Sequence, residues 1–148
     1  MARTLLTQVP TDNVGTDDGN QLLSFTQSEA RNIDVSISGA EFADLSGFTI
    51  TATARPAATG STGNPNGFAT GATDQTLAII DATTTDNAFA IRFDADALVT
   101  AHPDASSLAP GVPLYYFVSC TISTGTGNSL EAWEIVRGWV QLVDSVNT

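Results

Sequence analysis

Alternating apolar and polar residues predict β-strands along most of the chain. Residues 33–37 carry isoleucine, valine and isoleucine at every second position, so three apolar side chains share one strand face. Residues 48–54 alternate phenylalanine, isoleucine and alanines with threonines, and residues 89–93 repeat the pattern with Phe, Ile and Phe. Pro56 is expected to end the second of these strands, because proline has no N–H to donate to a sheet.

The C-terminal part of the chain predicts a long hairpin. Residues 114–123 begin with bulky side chains on both faces, as in a strand that is covered on two sides. The glycines and asparagine of residues 125–128 form a turn signal, and the returning strand runs from about residue 130 to residue 143. Gly138 is expected to mark a bulge or bend, because glycine weakens a strand unless the backbone needs its freedom.

One short helix is predicted over residues 94–101. Asp94 suits the N-cap position, and Asp96 favours the positive end of the helix dipole. His102 and Pro103 are expected to end the helix, since proline cannot continue it. His102 is interpreted as a surface loop residue.

These patterns predict an all-β domain over residues 21–148, an antiparallel β-sandwich of about seven strands with one short crossover helix. Residues 56–75 are rich in Gly, Thr, Ala, Asn and Pro and predict a long loop. A loop of that length in a compact domain is usually functional or disordered. Phe68 lies in its middle, where the ring either pins the loop to the domain or contacts a neighbour.

Residues 1–20 are expected to form an N-terminal arm outside the sandwich. Residues 11–20 are polar and rich in turn-forming types, whereas Leu5, Leu6 and Val9 give the arm apolar anchors. A frayed terminus and an arm that docks on a neighbouring subunit are equally compatible with this pattern. The start of the chain lacks the apolar stretch of a signal peptide, so synthesis in a cytoplasm is expected.

The net charge of the chain limits the classes of molecule that it is expected to bind. The chain has 16 acidic residues against 5 basic ones, a formal net charge of −11, and every basic residue is an arginine. Nucleic-acid binding needs clustered positive charge, which this sequence lacks. The same acidity disfavours anionic membrane surfaces, and no segment is apolar for long enough to span a bilayer.

Candidate catalytic chemistry is sparse. The single histidine, His102, precedes a proline, and the single cysteine, Cys120, falls inside a predicted strand where a buried thiol is expected. Glu131 and Glu134 could form a carboxylate pair, but residues three apart on a strand face opposite sides unless a bulge intervenes. Solvated surface charge is the favoured interpretation there and for the aspartates of residues 94–96, so the chain is predicted not to be an enzyme.

Metal and cofactor signals are weak. The acidic residues of 12–20 contain enough oxygen ligands for calcium, yet their spacing differs from that of an EF-hand loop, and a polar turn is favoured. One cysteine and one histidine cannot supply a zinc site. The glycines of residues 60–71 lack the Gly-Lys-Ser/Thr ending of a phosphate-binding loop. No cofactor is predicted.

Aromatic residues on the two C-terminal strands leave two interpretations open. Tyr116, Trp133 and Trp139 could form a stacking platform for a glycan, as in carbohydrate-binding modules. Aromatic side chains on adjacent hairpin strands more often build the core and a subunit interface, and that interpretation is favoured.

The order of these motifs resembles the small immunoglobulin-like domains of tailed-bacteriophage virions, including the N-terminal domain of baseplate upper proteins. The strand entry at residues 44–49 reads Asp-Leu-Ser-Gly-Phe-Thr and is similar to that family's D-L-[ST]-G-[YF]-T. Residues 111–118 resemble its G-x-Y-x-Y-D-V strand, although Phe117 replaces the acidic residue, and residues 138–142 resemble its closing G-x-V-x-V.

The resemblance implies an immunoglobulin-like β-sandwich and a structural virion protein with no catalytic residues. A capsid decoration or cement protein and a tail or baseplate attachment subunit are the expected roles, with other virion proteins and further copies of the chain as partners. Leu5, Leu6, Val9 and Phe68 are the candidate contact residues. The alternative function is a carbohydrate-binding module for host-surface glycans.

Overall fold

The computed structural model describes residues 5–7, 21–37, 40–59, 65–80, 87–105 and 112–143. These residues form mostly β-structure with one α-helix, α1 (Ala95–Ala101). The strands are β1 (Leu5–Thr7), β2 (Gln21–Thr26), β3 (Ala30–Ser36), β4 (Thr49–Thr59), β5 (Pro65–Phe68), β6 (Gln75–Ile80), β7 (Ala88–Asp94), β8 (Leu114–Thr124) and β9 (Glu131–Val143). Short 3₁₀ turns occur at Ala40–Phe42 and Gly127–Ser129. The prediction of a β-rich domain is confirmed, and the described strands number nine where about seven were predicted.

The strands follow one hydrogen-bonded path in the order β1-β3-β7-β6-β4-β8-β9-β2, with β5 attached to β4. Strand β6 turns the path, because Gln75–Leu77 pair with β4 whereas Ala78–Ile80 pair with β7. A single core cluster draws side chains from strands on both sides of this turn, so the path curls around a shared interior. The alternating apolar residues predicted for β3, β4 and β7 face that interior.

The prediction of a purely antiparallel sheet is wrong at both edges. Strand β1 pairs in parallel with β3, and β2 pairs in parallel with β9. Tight hairpins force antiparallel pairing only between strands that follow each other in sequence. Each edge strand instead joins a partner that is not its neighbour in the chain, so no turn fixes its direction.

Strand β4 continues through Pro56, which corrects the expectation that this proline ends the strand and opens a long loop. The Pro56 carbonyl accepts a hydrogen bond from Ala69 N at 3.0 Å, on the side away from β8. In a strand, the N–H and C=O of one residue point to the same side. The N–H that Pro56 lacks would therefore point away from β8, at the place where β4 stops pairing with β6 and begins to pair with β5. The pairing between β4 and β8 therefore passes Pro56 unbroken. Much of the predicted loop over 56–75 is strand, and residues 60–64 lie outside the described ranges.

The β8–β9 hairpin is confirmed, with its bulge at a different residue from the one expected. Cys120 pairs with Val136 and Thr121 with Glu134, so Ile135 is the additional residue of β9. Ile135 and Val136 are consequently both buried. Gly138, the expected site of the bulge, pairs regularly with Val118.

Helix α1 closes one end of the core. The Asp94 carboxylate accepts a hydrogen bond from Ala97 N at 3.3 Å, which confirms Asp94 as the N-cap. At the other end, the Tyr116 hydroxyl donates to the Leu98 carbonyl at 2.5 Å. His102 N bonds the Val99 carbonyl instead of that of Leu98, so Tyr116 satisfies an oxygen that the last helical turn leaves open.

His102 is buried, which corrects its interpretation as a surface residue. The ring is 4% exposed and packs edge-on against Tyr116, with 5.1 Å between ring centroids. Asp104 N–H donates to His102 Nδ1 at 3.1 Å, so Nε2 holds the proton and donates to the Tyr115 carbonyl at 3.0 Å. The backbone around the helix end is thereby fixed by one neutral imidazole.

Candidate interaction surface

The outer face of strands β4, β8 and β9 is built from rows of side chains that lie opposite one another. Because side chains alternate across a strand, the odd-numbered residues of β8 point away from the core. The rows run from an apolar end of the face to a polar end. In order they are Ala57-Tyr115-Gln141, Arg55-Phe117-Trp139, Thr53-Ser119-Arg137 and Thr51-Thr121-Glu134.

A second, smaller apolar cluster occupies the apolar end of this face. Ala57, Tyr115, Phe117 and Trp139 are each at most 5% exposed. The Tyr115 and Trp139 rings meet edge to face at 5.5 Å, and burial raises the pKa of the Tyr115 hydroxyl despite a hydrogen bond with Gln141. Trp139 Nε1 is buried with no hydrogen-bond acceptor among the described residues.

Phe68 lies on β5 beside this cluster and remains 54% exposed. Its ring packs edge to face with Phe117, with 5.4 Å between centroids. The Arg55 guanidinium carbon lies 4.4 Å from the centre of the Phe68 ring, within cation–π range. Phe68 is thus held in place from two sides while half of its surface faces solvent.

Two ion pairs flank the aromatic rings. Arg55 Nε lies 3.7 Å from Asp74 Oδ1, and Arg137 Nε lies 3.3 Å from Glu134 Oε1. Residues 134 and 137 would face opposite sides of a regular strand, but the extra residue Ile135 places both on the outer face. The bulge in β9 therefore creates the second ion pair.

These side chains line a shallow groove of about 220 Å³. Its charged residues are two arginines and two acids, so the groove is formally neutral on a chain of charge −11. We call this surface the Phe68 patch; it consists of Arg55, Phe68, Asp74, Phe117, Glu134 and Arg137. A second cavity of about 210 Å³ lies between β6 and α1, where the side chain of Arg92 bonds Asn32.

The residues proposed for glycan stacking do not form a platform. Tyr116 is fully buried in the core, and burial raises the pKa of its hydroxyl. Trp133 is only partly buried, but it packs against Phe42 and Phe48 at centroid distances of 5.1 and 6.2 Å. Trp139 is 5% exposed and lies on the opposite face of β9 from Trp133. Tyr116 and Trp133 therefore pack with the main core, whereas Trp139 packs in the smaller cluster on the other face of the sheet.

The other candidate contact residues lie at the start of the chain. Leu5 and Leu6 belong to β1, where their backbones lie opposite Asp34 and Val35 of β3. Val9 and the acidic residues of 12–20 lie outside the described residues. Among the four predicted contact residues, Phe68 is therefore the one whose side-chain exposure the structure describes.

The candidate catalytic groups of the sequence analysis, the carboxylates of Glu131 and Glu134 and the thiol of Cys120, lie at different positions in the β8–β9 hairpin. Glu131 and Glu134 face opposite sides of β9, as their spacing predicted, because the bulge follows both of them. Cys120 is buried, which confirms that prediction, and burial raises the pKa of its thiol to about 12. Across the described ranges, no group of three or more His, Cys, Asp or Glu residues is placed to hold a metal ion.

Sequence reasoning identified Phe68 but missed its charged neighbours. Arg55 and Asp74 come together because β4 pairs with β6, where Ala54 lies opposite Gln75, and the pairing of β4 with β5 brings Phe68 beside them. The adjacent apolar residues Ile135 and Val136 interrupt the alternation of β9, and this is the signal that could have revealed the bulge and the pairing of Glu134 with Arg137. No helix among the described residues is long and apolar enough to cross a membrane. The chain matches no protein-family model and no curated protein sequence.

Proposed function

We propose that the chain is a non-enzymatic structural subunit of a tailed-bacteriophage virion, an immunoglobulin-like β-sandwich acting through protein–protein contacts. Its role is that of a capsid decoration or cement protein, or of a tail or baseplate attachment subunit. The observation that supports it most directly is the Phe68 patch, in which an exposed aromatic ring contacts Arg55 and Phe117 on the outer face of the sheet. Aromatic residues and arginine are enriched in protein interfaces.

The positions of the family-like motifs support the same proposal. Residues 44–49 lead into β4, residues 111–118 include the start of β8, and residues 138–142 lie in β9. Strands β4, β8 and β9 are adjacent in the sheet, and residues 138–142 pair with the start of β8, whereas Thr49 pairs with Ser123 at the far end of β8.

The strand entry at residues 44–49 has a structural explanation. The Asp44 carboxylate accepts a hydrogen bond from Ser46 N at 2.9 Å, and this bond, with one from the Ser46 side chain, lowers the pKa of Asp44. Phe48 N then bonds the Leu45 carbonyl at 3.0 Å, and Leu45 is buried in the core. The motif therefore forms a turn that anchors the start of β4.

Charge supports an outer position on the particle. A chain of charge −11 is repelled by the phosphates of packaged DNA, whereas an outer capsid surface or a tail imposes no such cost. The acidic surface keeps free subunits soluble until an apolar contact such as Phe68 is buried on assembly.

The proposal is tested on purified particles of the phage whose genome encodes the chain. We expect mass spectrometry to find the chain in gradient-purified virions, and antibodies against it to label either heads or tails in electron micrographs. Labelling of heads supports the decoration role, and labelling of tails supports the attachment role. A chain that is abundant in the infected lysate and missing from purified virions would refute the proposal.

A glycan-binding module remains the second candidate, because the Phe68 patch offers an aromatic ring beside carboxylate and guanidinium groups. These are the groups that proteins use to stack on and hydrogen-bond sugars. A glycan array probed with the purified chain tests this function. Binding that is lost in Phe68→Ala and kept in Trp133→Phe would support it, and an array without signal would exclude the glycans tested.

A further inference from the structure

Strand β2 is at one end of the hydrogen-bonded path, so among the described strands it has a neighbour, β9, on one side only. Just past the end of β2, Gln27 N bonds the Val143 carbonyl of β9 at 2.9 Å. The N–H and C=O groups of successive strand residues point to alternate sides. Those of Ser24 and Thr26 therefore point away from β9 and form the outer edge of β2.

Residues at the turn into β3 occupy these outward-pointing groups. The Glu29 carboxylate accepts a hydrogen bond from Thr26 N at 3.1 Å, and Glu29 N donates to the Thr26 carbonyl at 3.0 Å. Arg31 Nη2 donates to the Ser24 carbonyl at 3.4 Å. Both outward groups of Thr26 and the carbonyl of Ser24 are thus bonded within the chain.

The Glu29 and Arg31 side chains are held in place over this edge. Arg31 Nε lies 3.0 Å from Glu29 Oε2, and the two side chains are only 25% and 32% exposed. The Arg31 guanidinium carbon also lies 4.7 Å from the centre of the Phe25 ring, which stacks on Phe93 in the core. The ion pair is therefore anchored to the core and spans from β3 to β2, two strands that are not paired by a backbone ladder.

We propose that Glu29 and Arg31 form an edge guard, which prevents β2 from pairing with a strand of another chain. An outer strand offers its N–H and C=O groups to other chains, and charged side chains are one means by which proteins block such pairing. A strand that adds to β2 has to displace both guard side chains before it can bond Thr26 and Ser24. In a solution of the purified chain, the strand that is blocked is β2 of a second copy.

The edge guard goes beyond the proposed function and does not depend on it. A subunit that assembles through specific contacts meets many copies of itself at high local concentration. Blocking the edge of β2 keeps those copies from joining through their backbones, which would give contacts without side-chain specificity.

The first experiment tests whether the Glu29 carboxylate covers the edge, by amide hydrogen exchange at Thr26 in two single variants. Glu29→Ala removes the acceptor of the Thr26 N–H, and we expect exchange there to become at least about tenfold faster. Glu29→Gln is the matched control, because it removes the same charge but keeps a side-chain oxygen that accepts the bond. We expect its exchange to stay within about threefold of the wild type.

The second experiment removes the guard with Glu29→Ala and Arg31→Ala together and follows self-association by sedimentation velocity from about 1 µM to 1 mM. The control combines Arg92→Ala and Asp96→Ala. It also leaves the net charge unchanged, and both residues are exposed on elements away from β2. We expect the guard variant to form larger species than the wild type as concentration rises, and the control to sediment as the wild type does.

Hydrogen exchange locates any new contact, since pairing through β2 protects the Ser24 and Thr26 amides as the guard variant associates. Circular dichroism and urea unfolding check that both double variants are folded. Should the guard variant unfold, Glu29→Ala alone replaces it, because Arg31 then keeps its contact with Phe25.

Four outcomes would overturn the inference. Equal exchange at Thr26 in the wild type and Glu29→Ala would show that the carboxylate does not cover the edge. A folded guard variant that sediments as the wild type does at every concentration would show that nothing is blocked. Equal association by the control, or association without protection of Ser24 and Thr26, would place the contact elsewhere. None of these results bears on whether the chain occurs in purified virions.

Discussion

Replacing Cys120 by alanine is expected to destabilise the protein at neutral pH and to stabilise it in alkali. The Cys120 thiol points into the core from β8, between the positions of Val118 and Ile122 and opposite Ala52 and Val136 on the adjacent strands. The side chain has no exposed surface, and burial raises the pKa of its thiol from 9.0 to about 12. An unfolded chain loses this proton far more readily than the folded protein does.

Cys120→Ala changes the free energy of unfolding in two ways, by leaving a cavity and by removing a buried thiol that titrates in alkali. These two changes have opposite signs and comparable size. Loss of the sulfur leaves a small cavity and costs about 1 kcal/mol at pH 7. In the wild type, the raised pKa of Cys120 favours the folded state fully below pH 9.0, and this contribution is lost as pH rises towards about 12. The loss amounts to about 1.4 kcal/mol per pH unit, or roughly 3 kcal/mol at pH 11. The stability curves of the two proteins are therefore expected to cross near pH 10.

Urea unfolding followed by tryptophan fluorescence at a series of pH values from 7 to about 11 measures both curves. Tyr115 and Tyr116 also have raised pKa values and weaken the fold in alkali, but they are present in both proteins and cancel in the difference. Reaction of the Cys120 thiol with an aromatic disulfide reagent, expected only on unfolding, gives an independent readout for the wild type. Curves that stay parallel across this range would refute the assignment of Cys120 as a buried, neutral thiol.

Three further substitutions test the elements around the core and the patch. Tyr116→Phe removes the hydroxyl that bonds the Leu98 carbonyl and should cost about 1.5 kcal/mol, seen as a thermal midpoint lower by roughly 3–6 °C; an unchanged midpoint would contradict that bond. Asp94→Ala removes the helix N-cap and should cost about 1 kcal/mol in urea unfolding, whereas Asp94→Asn should retain most of it. Glu134→Gln breaks a partly exposed ion pair with Arg137 and should change stability by less than about 0.5 kcal/mol, and a larger loss would mean that the pair supports the bulge.

The strands with regular alternation of apolar and polar side chains were predictable from the sequence. The inward faces of β3, β4 and β7, the β8–β9 turn and the Asp94 cap all follow from residues close together in sequence. At the turn, Gly125 has a φ of +84°, and a Cβ there would collide with the Ser129 carbonyl oxygen, so glycine is required. Period-two alternation and turn chemistry are local properties, and the sequence displays them directly.

The burial of His102 and Tyr116 was not predictable in the same way. A histidine before a proline is typical of an exposed loop, yet here the ring takes two backbone hydrogen bonds and packs on Tyr116. Tyr116 is buried for a matching reason, since its hydroxyl meets a helix carbonyl that lacks its usual partner. Polar side chains enter a core when a distant segment supplies their hydrogen bonds, and the sequence does not state which segments meet.

The amino-acid sequence by itself determined a β-rich, acidic chain, its inward-facing residues, the helix that Asp94 caps and the candidate contact residue Phe68. The tertiary structure decided the parallel edges, the continuation of β4 through Pro56 and the neighbours of Phe68. Long-range pairing is the physical reason for this division. Arg55 meets Asp74 because β4 pairs with β6, and Glu134 meets Arg137 because β9 carries an extra residue, Ile135, where it pairs with β8. Which strands pair, and in which register, is set by the packing of the whole chain.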